Sequence, residues 1–240
     1  DKQMNKLRNI LIAVIAITSL STYAFAGSYG IGIAGHAVGI TADGTETPGA
    51  GPSTEDENSV TNAQVGNFAG FGSIFAEINL GDAERFTLGI DYVPFNAEVS
   101  RDNMTRREAN GATVDNNDDD GLKSAQAELK DHITYYAEAV ITNGIFVKYG
   151  FSQVDIDIQQ TVQGSTSTYG DKTLDAITYG IGQKGTFGDR GFYKVEGYYT
   201  DYDNYSATGA GCSTDGTSTC SQVQADLDVV GAALRVGYKF

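Results

Sequence analysis

The sequence predicts an all-β fold, an eight-stranded antiparallel up-and-down transmembrane β-barrel, on three observations. Eight segments alternate apolar and polar residues, the connectors between them alternate tight and long, and charges on the apolar parity begin only well above the tight turns. Successive strand side chains point to opposite faces, so each segment carries one apolar and one polar face.

Residues 1–26 precede the first segment and are read as an N-terminal extension plus a cleavable signal peptide. Met4 is followed by Lys6 and Arg8, an apolar run Ile10–Leu20 and the small-x-small stretch Ala24-Phe25-Ala26, the pattern of export and cleavage. A membrane anchor is the alternative, but the run is shorter than the ~18 residues a spanning helix needs. The barrel domain is then 27–240.

The eight segments are roughly Ser28–Ile40, Asn67–Leu80, Arg85–Val99, Glu128–Ile141, Ile145–Ile156, Leu174–Phe187, Gly191–Asn204 and Val223–Phe240. Tight turns follow the second, fourth and sixth: Gly81-Asp82-Ala83-Glu84, Thr142-Asn143-Gly144 and Gly188-Asp189-Arg190. Asn-Gly between alternating runs is a strong hairpin signal. The remaining four connectors are long and polar. Short periplasmic turns at one end and four long extracellular loops at the other follow from that alternation. Pro94 falls on the outward parity of the third segment, where it marks either a bulge or the end of a ladder.

Two parities test the barrel. One set includes Ile74, Ile78, Leu88, Ile90, Tyr135, Tyr149, Ile181, Val195 and Leu234 and carries no charge near the turns. The first charges on it are Glu98, Asp131, Asp155, Asp175, Asp201 and Asp228, about 10–13 residues from the turn ends, against ~9–11 residues for a bilayer-spanning strand. Phe86, Tyr193, Tyr238 and Phe240 suit a lower aromatic girdle; Tyr92, Tyr135, Tyr179 and Tyr199 suit an upper one. The other parity holds Glu77, Asp91, Glu138 and Glu196 with Lys148, Lys184, Lys194 and Arg235 among glycines. An eight-stranded interior is only just wide enough for side chains, so these eight are expected to form a salt-bridge plug. A water-filled pore is the competing reading.

The last segment ends Val236-Gly237-Tyr238-Lys239-Phe240 and resembles the closing strand and assembly signal of bacterial outer-membrane barrels, carried by Tyr238 and Phe240. The layout of 27–240 resembles small eight-stranded OmpA/OmpX-type and opacity-type surface proteins. That resemblance implies a bacterial outer-membrane location, partners among outer-membrane lipids, lipopolysaccharide and the barrel-assembly machinery, and a non-enzymatic role as surface antigen, adhesin or envelope stabiliser facing an unknown extracellular ligand. A small-solute or hydrophobic-compound channel is the alternative; a lipid A-modifying enzyme and a soluble lipocalin-like binder are further ones.

Composition agrees with many glycine-punctuated strands: Gly 30, Pro 3, Tyr 14 and Phe 11. The net charge of −15 disfavours a nucleic-acid partner. Losing Asp1, Lys2, Lys6 and Arg8 with the signal would remove a net +2, giving −17.

No cofactor motif emerges. Gly30-Ile31-Gly32 lacks the following helix of a nucleotide site. Cys212 and Cys220 in an exported chain are expected to form a disulfide, and no further ligands nearby suggest a metal. The acidic runs Glu55–Glu57 and Asp115–Asp120 are expected to be solvated; they do not match an EF-hand loop, although divalent cations there, or Arg101, Arg106 and Arg107 directly, could meet lipopolysaccharide phosphates. His36 and His132 lie on the inward parity, on segments far apart around the wall, and are expected to be non-catalytic.

Overall fold

The computed structural model describes residues 27–47, 61–81, 84–94, 97–98, 104–108, 121–162, 170–209 and 222–240. Residues 1–26, Cys212, Cys220, the acidic runs 55–57 and 115–120, Arg101 and the side chains of Glu98, Arg106 and Arg107 lie outside what is described.

The strands are β1 (Gly27–Thr47), β2 (Thr61–Leu80), β3 (Phe86–Val93), β4 (Ala97–Glu98), β5 (Met104–Glu108), β6 (Gly121–Thr142), β7 (Ile145–Val162), β8 (Lys172–Phe187), β9 (Gly191–Tyr202), β10 (Tyr205–Thr208) and β11 (Gln222–Lys239). All pairings are antiparallel, and β11 closes on β1 with Gly30 opposite Lys239 and Thr47 opposite Gln222. β3, β4 and β5 are successive pieces of one wall element against β6, as β9 and β10 are against β11. Among the described residues eleven strands thus make eight staves.

Turn chemistry fixes the register at the tight end. Asn143 and Gly144 both have positive φ, 45° and 77°, the two-residue hairpin geometry that Asn-Gly favours because its twist matches the strands. At the opposite end the strands run further than the sequence periodicity indicates. β1 reaches Thr47 and β2 starts at Thr61, because pairing continues through Gly, Thr and Ala positions that carry no apolar alternation.

Two irregularities alter the expected parity. The third stave is broken: β3 stops at Val93, exposed Pro94 belongs to no strand, and pairing with β6 resumes at Ala97. Proline has no N–H to give a ladder. On β6 the register shifts between Lys130 and Ile133, with Asp131 at φ 52°, a bulge that adds an unpaired residue and reverses the faces beyond it. Leu129 therefore turns inward opposite Ile156, while Lys130 faces out, pairing with Asp157. Asp131 accepts a hydrogen bond from Tyr92 at 3.0 Å instead of standing as a rim charge in register.

The barrel is inside-out by soluble standards. Glu77, Glu138, Lys148 and Arg235 are buried, whereas Tyr149 and Leu234 are each 55% exposed. Ile33, Ile74, Leu88, Val147, Ile181, Val195 and Val236 continue the exposed apolar belt around the wall. Ile90 is the exception; it is buried on the outer parity, in register with Ala76 and Tyr135. Among the described residues no helix is long and apolar enough to cross a membrane; strands satisfy their backbone groups by closing the sheet. The belt predicts that Ile181→Arg, which puts a charge on the lipid face, costs about 2–4 kcal/mol near the bilayer midplane. Urea titration of protein in bilayers measures it, and a neutral outcome is incompatible with lipid contact there.

Candidate functional site

The described interior is a stack of layers, legible on one strand. Going up β7 from its turn, the inward residues are Phe146, Lys148, Gly150, Ser152, Val154 and Ile156: a ring, a charge, a gap, a hydroxyl, then aliphatic side chains.

Seven of the eight expected charges meet in one buried cluster. Lys194 Nζ donates to Glu77 Oε2 at 2.5 Å and Glu138 Oε2 at 2.7 Å. Lys148 Nζ donates to Glu196 Oε1 at 2.9 Å. Arg235 donates through Nε and Nη2 to that same oxygen, at 3.0 and 2.9 Å, and through Nη1 to Asp91. Tyr136 adds a hydrogen bond to Glu77 at 3.2 Å. Sharing is forced, because four acids meet three bases.

Lys184 does not join the cluster. It stands in register with Lys194 on the adjoining strand, and like charges directly opposite repel. Its ammonium instead donates to the Glu84 carbonyl at 3.0 Å. There a second polar group closes the turn end: Glu84 pairs with Lys239 and accepts from Ser28 at 2.6 Å.

Four aromatic side chains that alternation alone did not single out enclose the cations. Arg235 stands 5.3 Å from the Phe75 ring centroid and 5.5 Å from that of Tyr136; Lys148 is 4.8 Å from Tyr136, and Lys194 is 5.7 Å from Phe146 and 5.9 Å from Phe192. Desolvated cation–ring contacts of this kind contribute on the order of 2 kcal/mol. Glycines make the room. A Cβ on Gly89 would run into the Tyr136 ring, and one on Gly237 into Phe192. The signal was present in the sequence as large rings on the inward parity facing glycine on the next strand.

Above the ions, Thr134, Ser152, Thr178 and Thr200 join hydroxyl to hydroxyl at 2.8, 2.8 and 2.9 Å across four neighbouring staves. Higher still, Val38, Ile40, Val154, Ile156, Leu174, Tyr202, Leu227 and Val229 form an apolar cap, each no more than 7% exposed.

His36 and His132 are not far apart. Both line one small cavity between the ionic layer and the cap, with Asp91 and Lys148. His36 Nδ1 lies 3.1 Å from the Tyr198 hydroxyl and Nε2 2.9 Å from Ser73 Oγ. Which of the two nitrogens donates and which accepts depends on the tautomer of the ring.

No protein-family model matches the chain and no curated protein matches it. Solved structures similar to it include the outer membrane protein OprG from Pseudomonas aeruginosa, at 14% identity over 90% of this chain and 97% of that one, TM-score 0.43. Ail, the attachment invasion locus protein of Yersinia pestis, is 11% identical over 87% and 99%, TM-score 0.36. AlkL, an outer membrane protein determined in DMPC bilayers, is 12% identical over 89% and 90%, TM-score 0.43. At such identities and TM-scores nothing of those proteins' roles passes to this chain. Its own closed wall and exposed apolar belt make it a small eight-stranded β-barrel of the bacterial outer-membrane type.

Two outcomes test the interior. Arg235→Ala leaves Asp91 without its cation, while Glu196 keeps Lys148, and is expected to cost about 3–5 kcal/mol, read as a lower urea midpoint; Arg235→Met with Asp91→Asn recovers part of it. At the turn, burial acts to raise the Glu84 carboxyl, but hydrogen bonds from Lys239 and Ser28 and the Lys239 charge outweigh it and hold it below its ordinary 4.5. A depressed carboxylate stabilises the fold above its unfolded value and loses that contribution as pH falls through the folded one. Glu84→Gln therefore flattens the stability curve below about pH 4.5 and leaves it unchanged at neutral pH in shape.

Proposed function

We propose that this chain is a non-enzymatic, non-conducting barrel of the bacterial outer membrane that acts as a rigid support for surface-exposed loops, in the manner of an adhesin-like or envelope-stabilising protein. The observation that carries the reading is the filled lumen: the Lys194–Glu77–Glu138 and Arg235–Asp91–Glu196 groups, with the apolar cap above them. Ions crossing such a core would have to break charge-assisted bonds and then cross a dry aliphatic layer, and each step is uphill. The partners proposed are outer-membrane lipids and lipopolysaccharide around the belt, the assembly machinery at the Tyr238 and Phe240 end, and an extracellular ligand on the loops. The cysteine pair Cys212 and Cys220 is proposed to stiffen the last of those loops.

A second reading, a path for hydrophobic compounds, draws on one observation. Among the described residues, pairing of β2 with β3 ends at Ile74 opposite Tyr92, and Pro94 lies two residues further on, so the ladder between these two staves stops there. Closing it with a disulfide across that seam would abolish such a path.

Planar-bilayer recordings of refolded protein distinguish the readings for ions. The wild type is expected to give no steady conductance, and truncation of Arg235 and Lys194 to Ala together with the cap residues Val154 and Leu174 to Ala is expected to give open events. Steady wild-type channels would overturn the plug.

A further inference from the structure

The first and last staves, β1 and β11, are neighbours that no turn or loop joins, whereas every other pair of adjacent staves is consecutive in the chain. At the tight-turn end their ladder runs to Gly30 opposite Lys239, and the Phe240 amide donates to the Tyr29 carbonyl at 2.9 Å. Beside that end stands a residue in an unfavourable backbone conformation. Glu84 has φ 47°, in the left-handed region that crowds a Cβ against the backbone and that glycine or asparagine ordinarily fills at a tight turn. Its amide closes the turn on the Gly81 carbonyl at 3.0 Å. Nothing in that turn calls for a carboxylate.

The carboxylate is where a line of side chains ends. Thr87 on β3 donates to Asn79 Oδ1 at 2.7 Å, Asn79 Nδ2 on β2 donates to Ser28 Oγ at 3.1 Å, and Ser28 on β1 donates to Glu84 Oε1 at 2.6 Å. Every donor in the line points toward Glu84, so each bond polarises the next. Thr87 and Asn79 are each 1% exposed, which keeps water from competing for them. From the other side of the seam, Lys239 on β11 donates to Glu84 Oε2. Lys184 on β8 holds the backbone of the same residue, donating to its carbonyl at 3.0 Å. A fully exposed ion pair contributes little; here the Lys239 and Glu84 side chains are only 22% and 29% exposed.

We infer that Glu84 is a closure latch: its carboxylate bridges the seam between the first and last staves, one oxygen bound from β1 and the other from β11, where their ladder finishes. The strained backbone is kept because the side chain makes that bridge; strain of this kind persists where the surrounding structure over-determines it. Through Ser28, Asn79 and Thr87 the latch also ties the seam to β2 and β3. It stabilises only the closed wall, because an open sheet holds Lys239 away from Glu84.

Amide hydrogen exchange of the full chain in lipid bilayers, read residue by residue by NMR, tests the latch. Glu84→Gly removes the carboxylate and relieves the backbone together, so a residue serving the turn alone predicts protection at the Phe240 amide that is unchanged or raised. The latch predicts the opposite: Phe240 protection falls about tenfold, the scale of one charge-assisted bond, while amides of the β6–β7 hairpin keep theirs. Lys239→Met, which leaves the turn untouched, is expected to give the same local loss, and the double variant little more than either single one, since both remove one pair. Phe240 protection that stays or rises in Glu84→Gly, or a loss shared equally by the β6–β7 hairpin, overturns the assignment. Should Glu84→Gly fail to fold, Lys239→Met decides, and unchanged Phe240 protection in that variant overturns the latch by itself.

Discussion

A charge inside a lipid-embedded barrel cannot borrow water from either side of the wall, and this constraint organises the interior from Arg235 outward. Arg235 is 1% exposed. Breaking such a buried pair leaves an uncompensated charge, so its acids must arrive from other staves: Asp91 from β3 and Glu196 from β9. Each of those carboxylates then needs a position at the same height, which sets the register of the strands that carry them. Rings take what the carboxylates do not. Phe75 and Tyr136 cover Arg235, and the space for Tyr136 exists because its wall neighbour is Gly89. Charge, ring and glycine are one unit, and altering any one of them disturbs the other two.

The apolar cap gives that unit a lid. Ionic side chains alone would leave the cluster in contact with the outside solvent, where screening and competing water weaken every pair. Val38, Val154, Leu174 and Leu227 are each at most 5% exposed, so the pairs operate in a medium closer to a protein core. The upper half of this barrel therefore follows soluble-protein rules inside, while its lower half follows membrane rules outside. A long pairing of β1 with β11, reaching Thr47 opposite Gln222, holds the two regimes together and carries the wall beyond the lipid belt toward the loops.

Most of the fold was legible from alternation, because a face that meets lipid and a face that meets charge cannot exchange a single position without cost. What alternation could not supply was irregularity and height. The bulge at Asp131 reverses β6, and nothing in the residues around Lys130 and His132 announces it. Pro94 announced a break, and the break is there. Lys184 has the right parity for the cluster and is turned away by Lys194, a neighbour relation that exists only once the register is known. The two histidines were set far apart by counting strands around the circumference, whereas the cavity places them across the lumen from one another's walls, β1 and β6.

That last error identifies the better coordinate. In an eight-stranded barrel the interior is about one layer of side chains wide, so inward residues are neighbours when they share a height, whatever the strands between them. Glu77 stands three residues above the end of β2, and Lys194 three above the start of β9; they bond across the lumen although 117 residues separate them. Asp91 and Glu196 each stand five residues above the starts of β3 and β9, and Arg235 five below Phe240, and these three meet. Distance from the nearest tight end therefore predicts partners in such a lumen to within about two residues, as Lys148, three above the start of β7, bonds Glu196, five above the start of β9, with two corrections that physics supplies. A bulge resets the count beyond it, and two like charges in register cannot both keep their height, so the one with somewhere else to reach gives way.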